Sequence, residues 1–161
     1  MDKKISLYLY NRLKNKTKFE NFIKFIANIS TNLIAINYII FLLYTLITKN
    51  LNITKCILIP IFIFVVITIL RKLINRKRPF EILNIKPIIN HKNGNSMPSR
   101  HTSSAFSIAL IIFFNNQIWG IICIIIALLV AITRVLTYVH YISDVLIAFL
   151  ISFIMSFIFF I

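Results

Sequence analysis

The sequence has 161 residues, of which 59% are hydrophobic, and 18 Lys and Arg residues stand against 4 Asp and Glu residues, for a net charge of +14. Soluble domains average about 45–50% apolar residues, so this composition excludes an ordinary soluble domain, and the length fits a single domain. A basic chain often binds nucleic acid, but this chain also contains long apolar runs. Apolar runs together with positive charge favour a membrane with anionic lipid, and not nucleic acid, as the partner.

The first 30 residues differ from the rest because charges lie between their apolar residues. Thr17 and Glu20 have the spacing of a capping box, which predicts that a helix begins there. The apolar residues that follow recur at helical spacing, at Phe19, Phe22, Ile23, Ile26 and Ile29. This pattern predicts an amphipathic helix in the membrane interface. The alternative is a helix that packs on the spans and faces solvent.

Five apolar stretches in the remaining chain approach the roughly 20 residues needed to cross a bilayer. They cover residues 31–48, 54–74, 100–116, 117–138 and 143–161, and neither β-type alternation nor an internal repeat is present. We therefore predict an all-α protein, a polytopic membrane bundle of about five spans with an N-terminal amphipathic interfacial helix. Residues 1–30 are assigned to the interfacial segment and residues 31–161 to one membrane-embedded domain.

Polar residues collect at the ends of the spans. The second span ends in the basic residues 71–78, the third begins at residues 96–102, and the fourth meets the fifth at residues 133–144. Because consecutive spans cross the membrane in opposite directions, these three segments share one side. The topology therefore predicts that His101 and His140 meet several arginines at one membrane face.

Three of these arginines, Arg71, Arg78 and Arg134, have the chemistry to surround a tetrahedral anion, because guanidinium groups pair with phosphate oxygens in a bidentate way. Residues 99–101 occupy the first turn of a helix behind a proline, where free N–H groups and the helix dipole favour an anion. Charged groups retained in a membrane span are functional candidates. For Arg71 the alternative is a side chain that extends to the lipid interface.

A histidine and a carboxylate stand four residues apart at His140 and Asp144, on one helix face, in a chain that has only 4 acidic residues. A carboxylate bonded to one ring nitrogen sets the tautomer and makes the other nitrogen a better nucleophile or base. His101, which comes from another helix, is then suited to protonate a leaving oxygen. His91 and Lys92 lie in the long loop, where they could contact a head group, although an exposed pair of this kind is usually solvated.

The arrangement of these residues resembles the type 2 phosphatidic acid phosphatase family, which is related to vanadium-dependent haloperoxidases. The family motifs K-x6-R-P, P-S-G-H and S-R-x5-H-x3-D are matched by Arg71-x6-Arg78-Pro79, Pro98-Ser99-Arg100-His101 and Thr133-Arg134-x5-His140-x3-Asp144. The resemblance covers roughly residues 30–161. It implies hydrolysis of a lipid phosphate monoester or a lipid diphosphate, of the undecaprenyl diphosphate, phosphatidylglycerophosphate or phosphatidate type.

The resemblance also implies a role for each matching residue. His140 attacks phosphorus to form a phosphohistidine, Asp144 orients His140, and His101 protonates the leaving group and then activates water. The other matched side chains hold the phosphoryl oxygens, namely Arg71, Arg78, Ser99, Arg100 and Arg134. Neither a metal nor another cofactor is expected, because the arginines supply the charge stabilisation that metals give elsewhere.

Three positions depart from the family motifs. Arg71 replaces a lysine, which keeps the charge and changes its geometry. Arg100 replaces a glycine and adds a further cation, and Thr133 replaces a serine and keeps the hydroxyl. None of these changes removes a catalytic group, so we predict an active enzyme whose head-group preference is open.

Three other classes of protein compete with this interpretation. A vanadium haloperoxidase shares the anion site but is normally larger and soluble. A non-enzymatic membrane protein that binds anionic lipid would keep the pocket without turnover, although the intact histidines disfavour it. In a basic membrane scaffold, all histidines would be structural. Phosphate release from the detergent-solubilised protein separates the enzyme from both non-enzymes.

We expect a multi-pass protein of the cell membrane, and two arguments about the side that the site faces conflict. With five spans, the N-terminus and the site share the side that carries nearly all Lys and Arg residues, which the positive-inside rule makes cytoplasmic. The resemblance instead implies the outer face, because many relatives act on the outer leaflet. A sixth span through residues 5–29 would separate the N-terminus from the site, but it would carry six charges. We favour the cytoplasmic face.

Overall fold

The protein is a bundle of long helices, seen in a computed structural model that describes residues 2–14, 16–49 and 52–160. Within these ranges the regular structure is helical, with no β-strand. The helices are α1 (Asp2–Leu13), α2 (Thr17–Ile47), α3 (Ile53–Ile74), α4 (Pro79–Leu83), α5 (Arg100–Asn115), α6 (Gln117–Leu136) and α7 (Ile142–Phe160). The predicted all-α bundle is confirmed.

Long apolar helices form the outside of the bundle. Among the described residues, four segments are long and apolar enough to cross a membrane, namely Thr17–Ile47, Ile53–Leu83, Gln117–Leu136 and Ile142–Phe160. They contain α2, α3 followed by the short α4, α6 and α7. Large apolar side chains such as Ile40 and Ile122 are exposed on their outer faces, which suits contact with lipid tails. The chain is therefore a multi-pass membrane protein.

The third predicted span, α5, is the central helix of the bundle. It has 16 residues and is about 24 Å long, which is shorter than the roughly 30 Å hydrocarbon core. It packs against α2, α3, α6 and α7, so these helices shield its polar residues from lipid. For example, the Ser152 hydroxyl of α7 donates a hydrogen bond to the Ser103 hydroxyl of α5 over 3.0 Å. The polar start of α5 is thus held inside the bundle.

The first long helix differs from the prediction in its extent. α2 runs without a break from Thr17 to Ile47, so the predicted boundary at residue 30 lies within one helix. Thr17 is the first helical residue, and the cap position, Lys16, makes no side-chain cap hydrogen bond; the predicted capping box is absent. Packing explains why α2 continues through residue 30. Ile23 and Ala27 are buried, and they extend the face by which the rest of α2 contacts the bundle.

A separate short helix, α1, lies at the end of the bundle where α3 ends. The rings of Tyr10 and Tyr138 meet edge to face, with centroids 5.7 Å apart. The Asp2 carboxylate accepts a hydrogen bond from Arg76 over 2.9 Å. These contacts tie the N-terminal helix to the same end of the bundle as the polar segments of the other helices. An interfacial position for residues 1–30 stays a prediction.

Candidate active site

The residues that the motifs predicted to converge lie at one end of the bundle. The end of α3, the start of α5 and the junction of α6 and α7 meet there, and the loop of residues 84–99 covers them. The loop is tied to this junction at two points. The Ser96 hydroxyl donates a hydrogen bond to the Asp144 carboxylate, and the Ser99 backbone N–H donates to the Asp144 carbonyl over 3.0 Å.

His140 and Asp144 form the centre of this cluster. His140 Nδ1 lies 3.5 Å from Asp144 Oδ2, and both side chains have 0% exposure. The same carboxylate oxygen accepts hydrogen bonds from Ser96 and, over 2.9 Å, from the Tyr141 backbone N–H. Burial lowers the pKa of His140, with Asp144 opposing that effect. The imidazole of His140 is therefore neutral near pH 7, as the predicted role of nucleophile requires.

An arginine that the sequence reasoning missed completes the environment of Asp144. Arg76 Nη1 donates to Asp144 Oδ1 over 2.7 Å and to the Ser143 hydroxyl over 2.7 Å. Its guanidinium carbon lies 4.1 Å from the centroid of the Tyr141 ring. Its second terminal nitrogen donates to Asp2. Arg76 therefore holds the oxygen of Asp144 that does not face His140.

Two predicted phosphate ligands hold the covering loop. Arg78 donates from Nε to the Gly94 carbonyl over 3.0 Å and from Nη1 to the Val139 carbonyl over 2.9 Å. Arg71 donates from Nη2 to the Asn95 carbonyl over 2.5 Å. Both guanidinium groups are buried. Carbonyl partners orient these groups without neutralising their charge, so the positive charge stays available to an anion.

Arg134 has different neighbours from the other arginines. It donates from Nη2 to the Thr31 hydroxyl of α2 over 2.7 Å, and its Nε is buried without a partner among the described residues. Thr133, the neighbouring motif position, donates its hydroxyl back to the Val130 carbonyl over 2.9 Å. The third motif therefore contributes one arginine to the site, and that arginine is oriented by α2.

The first turn of α5 supplies the remaining predicted residues. Ser99 is buried and its hydroxyl accepts a hydrogen bond from Thr102 over 3.0 Å. The guanidinium of Arg100 lies over the Phe64 ring, 5.5 Å from its centroid. His101 carries a buried Nδ1 that has no partner within the described chain. These three residues stand together at the start of α5, where backbone N–H groups favour an anion.

Two cavities meet at Arg100. A polar cavity of 180 Å³ is lined by Arg71, Lys72, Arg78, His91, Lys92 and Arg100, together with neighbouring loop residues. A second cavity of 370 Å³ extends between α2, α3, α5 and α6, with Arg100 and His101 beside apolar residues that include Ile34, Ala35, Phe64, Ala105, Ile108 and Val130. The site therefore joins a cationic chamber to an apolar one.

His91, a loop residue outside the three motifs, also lies beside the site. It was expected to be solvated, but its ring centroid lies 6.1 Å from that of His101 and 6.3 Å from that of His140. No local sequence pattern predicted this position, because the loop has no helical or strand period.

Within the described residues, no group of three or more His, Cys, Asp or Glu side chains is placed to hold a metal ion.

Comparison with known proteins identifies the family. A family model described as the PAP2 superfamily matches residues 52–161, and the chain belongs to that superfamily. No curated protein matches the sequence. The crystal structure of LpxE from Aquifex aeolicus has a TM-score of 0.78 at 20% identity, over 98% of this chain and 93% of that one.

A second structure with the same fold is the first transmembrane PAP2-type phosphatidylglycerolphosphate phosphatase from Bacillus subtilis. It has a TM-score of 0.75 at 23% identity, and the match covers 98% of this chain and 82% of that chain. The fold of a transmembrane PAP2 protein, which the three motifs implied, is thus confirmed.

We predict that Arg76→Ala lowers the rate of phosphate release from a lipid phosphate by roughly 10-fold to 100-fold, because hydrogen bonds to a charged group contribute about 1.5–3 kcal/mol. Lys77→Ala, at the exposed neighbouring position, is the matched control and should leave the rate unchanged. The melting temperature of each variant in detergent reports its folding. Equal rates for a folded Arg76→Ala and the wild type would contradict this role.

Proposed function

We propose that this chain is a membrane phosphatase that hydrolyses a lipid phosphate monoester or a lipid diphosphate through a phosphohistidine on His140. One observation carries the proposal: a buried, neutral histidine beside a buried carboxylate meets the ring of His91, which lines a cavity together with three arginines. A neutral imidazole has a free electron pair for attack on phosphorus. The surrounding cations match the charge of a phosphoryl group.

The reaction has two steps. In the first, a ring nitrogen of His140 forms a bond to phosphorus while the bond from phosphorus to the leaving oxygen breaks. His101, whose protonated form the negative charge of the bound phosphate favours, donates its proton to that oxygen. In the second, His101 accepts a proton from water as the water oxygen attacks phosphorus. The bond to His140 then breaks, and inorganic phosphate leaves. Asp144 stabilises the positive charge that develops on His140.

Charge stabilisation of the transferring phosphoryl group is assigned to the motif cations. Arg71, Arg78 and Arg134 carry oriented guanidinium groups, and Arg100 and Ser99 add donors from the start of α5. Preorganised donors of this kind lose little energy in reorganisation when negative charge develops. They support a mechanism without a metal, because a pocket of this charge repels a divalent cation.

The apolar cavity supports a substrate that comes from the bilayer. It lies directly beside His101 and Arg100 and is lined by apolar side chains from four helices, so a lipid chain there would leave its phosphate in the cationic cavity. Undecaprenyl diphosphate, phosphatidylglycerophosphate and phosphatidate all have this form. Release of phosphate from each of the three, measured side by side, identifies the preferred head group.

We predict that His140→Ala reduces phosphate release to background, because no other group replaces the nucleophile. His101→Ala should lower the rate by about 10²-fold to 10⁴-fold, which is the usual contribution of a general acid. Lys77→Ala serves as the control, and size-exclusion chromatography verifies folding. A folded His140→Ala variant that still turned over would rule out the mechanism. A wild-type protein that binds anionic lipid vesicles but releases no phosphate would instead be a non-enzymatic lipid-binding protein.

We further predict that EDTA leaves the activity unchanged and that vanadate inhibits it, because vanadate imitates the five-coordinate phosphoryl group. The measurement is phosphate release from detergent-solubilised protein with each reagent, with added Mg²⁺ as the control. Loss of activity in EDTA and its recovery with Mg²⁺ would show that a metal takes part.

The distribution of basic residues supports a site on the cytoplasmic face. Lys49 at the end of α2 and Lys55 in the first turn of α3 lie at the end of the bundle opposite the site. All other Lys and Arg residues of the sequence belong to segments at or near the site end. Since Lys and Arg are concentrated on the cytoplasmic side of membrane proteins, this end is assigned to the cytoplasm.

We predict that a single cysteine at Asn52 is labelled in intact cells by a membrane-impermeant maleimide, whereas one at Asn90 is labelled only after permeabilisation. Both are made in a background without Cys56 and Cys123. Asn90 belongs to the loop over the site and Asn52 precedes α3, so the two report opposite sides. Labelling of Asn90 in intact cells would place the site outside.

A further inference from the structure

Three histidines, and not the two that the motifs supply, surround one point of the site. His91 meets His101 and His140 edge to face, with interplanar angles of 81° and 76° and ring centroids 6.1 Å and 6.3 Å away. A group that lies between the other two imidazoles is therefore also within reach of His91.

All three rings carry buried nitrogens without a partner in the described part of the chain. They are Nδ1 of His91, Nδ1 of His101 and Nε2 of His140, whose Nδ1 instead faces the Asp144 carboxylate at 3.5 Å. Burying a polar atom without a hydrogen bond costs free energy. Unpaired nitrogens on three facing rings therefore indicate a space that a polar ligand fills.

The surroundings of His91 identify the charge of that ligand. His91 lines the polar cavity with Arg71, Arg78 and Arg100. Burial and the positive charges of Arg78, Arg71 and Arg134 lower the pKa of His91 to about 4. His91 is thus a neutral imidazole among cations near pH 7, with one ring N–H to donate, and the ligand that fits these neighbours is an anion.

The loop that carries His91 is held by the arginines of the site. Arg78 and Arg71 donate to the carbonyls of Gly94 and Asn95. The Gly94 backbone N–H donates to the Glu81 carboxylate over 2.5 Å, and the same carboxylate accepts from the Arg78 backbone N–H over 2.8 Å. These bonds begin three residues after His91, and they keep its ring over the other two histidines.

We propose that His91 is a third substrate-contacting histidine, which donates a ring N–H hydrogen bond to an oxygen of the phosphate group held between His101 and His140. This inference rests on the proposed phosphatase function. It adds a residue from outside the three motifs to the binding machinery. The competing role is packing, in which the ring of His91 only contacts the rings of His101 and His140 and its nitrogens bind nothing.

Two substitutions distinguish these roles. His91→Phe keeps a ring that packs against His101 and His140 but has no nitrogen, whereas His91→Asn keeps an amide N–H near the position of Nδ1. Asn90→Ala, at the exposed neighbouring position, is the matched control. The measurements are kcat and KM for lipid phosphate hydrolysis, the rise in melting temperature caused by orthovanadate, and the pH profile.

If His91 contacts the phosphate, His91→Phe lowers kcat/KM by about 10-fold to 100-fold, the effect of one hydrogen bond to a charged group, and reduces the melting-temperature rise with orthovanadate. His91→Asn recovers part of both, and Asn90→Ala changes neither. The profile of His91→Asn between about pH 5 and pH 8 keeps the wild-type shape, because a neutral histidine does not titrate there.

The outcomes separate this inference from the proposed function. Wild-type kcat/KM and orthovanadate response in His91→Phe, with His140→Ala inactive, would leave the phosphatase proposal standing and overturn the role of His91. Equal losses in His91→Phe and His91→Asn would likewise overturn the hydrogen bond. Absence of phosphate release from the wild type would overturn both proposals together.

Discussion

The buried carboxylate of Asp144 is the interaction on which the site depends. A carboxylate with 0% exposure is stable only when hydrogen bonds and an opposite charge compensate for its lost hydration. Arg76, Ser96 and the Tyr141 N–H supply that compensation. They come from the end of α3, the covering loop and the junction before α7, so satisfying one charge brings three distant segments together. Arg76 extends the network to Asp2 and thereby to α1.

The membrane imposes a second constraint on this design. A charged cluster cannot face lipid, and a helix that starts with polar residues must begin where other helices cover it. The short central helix α5 satisfies both requirements, because α2, α3, α6 and α7 surround it. Its first turn lies at the boundary between the cationic and the apolar cavity. That boundary suits a molecule with a charged head and an apolar tail.

The arginines hold segments of the fold together, and in the proposed function they also form the anion site. Each of the three motif arginines donates to an uncharged oxygen of the chain, on the loop for Arg71 and Arg78 and on α2 for Arg134. Such partners restrict the side-chain rotamers and carry no formal charge of their own. In the proposed function an anion would therefore meet donors that are already oriented, so less conformational entropy would be lost on binding. The same bonds hold the loop that brings His91 to the site.

The amino-acid sequence by itself determined the helical membrane fold, because long apolar runs have few alternatives in a bilayer. It also determined the shared face of the three motifs, because antiparallel spans return to the same side. The spacing of His140 and Asp144 predicted their pairing, because residues four apart lie on one helix face.

Only the tertiary structure decided the rest. The contact from Arg76 to Asp144 joins residues 68 apart in sequence, and that from Arg134 to Thr31 joins residues 103 apart. His91 belongs to a loop whose path follows from bonds to buried arginines. The continuity of α2 through residue 30 came from packing of Ile23 and Ala27 on the bundle. The periodicity of a single segment does not predict such contacts. They form when segments distant in sequence pair their buried charges and pack their apolar surfaces together.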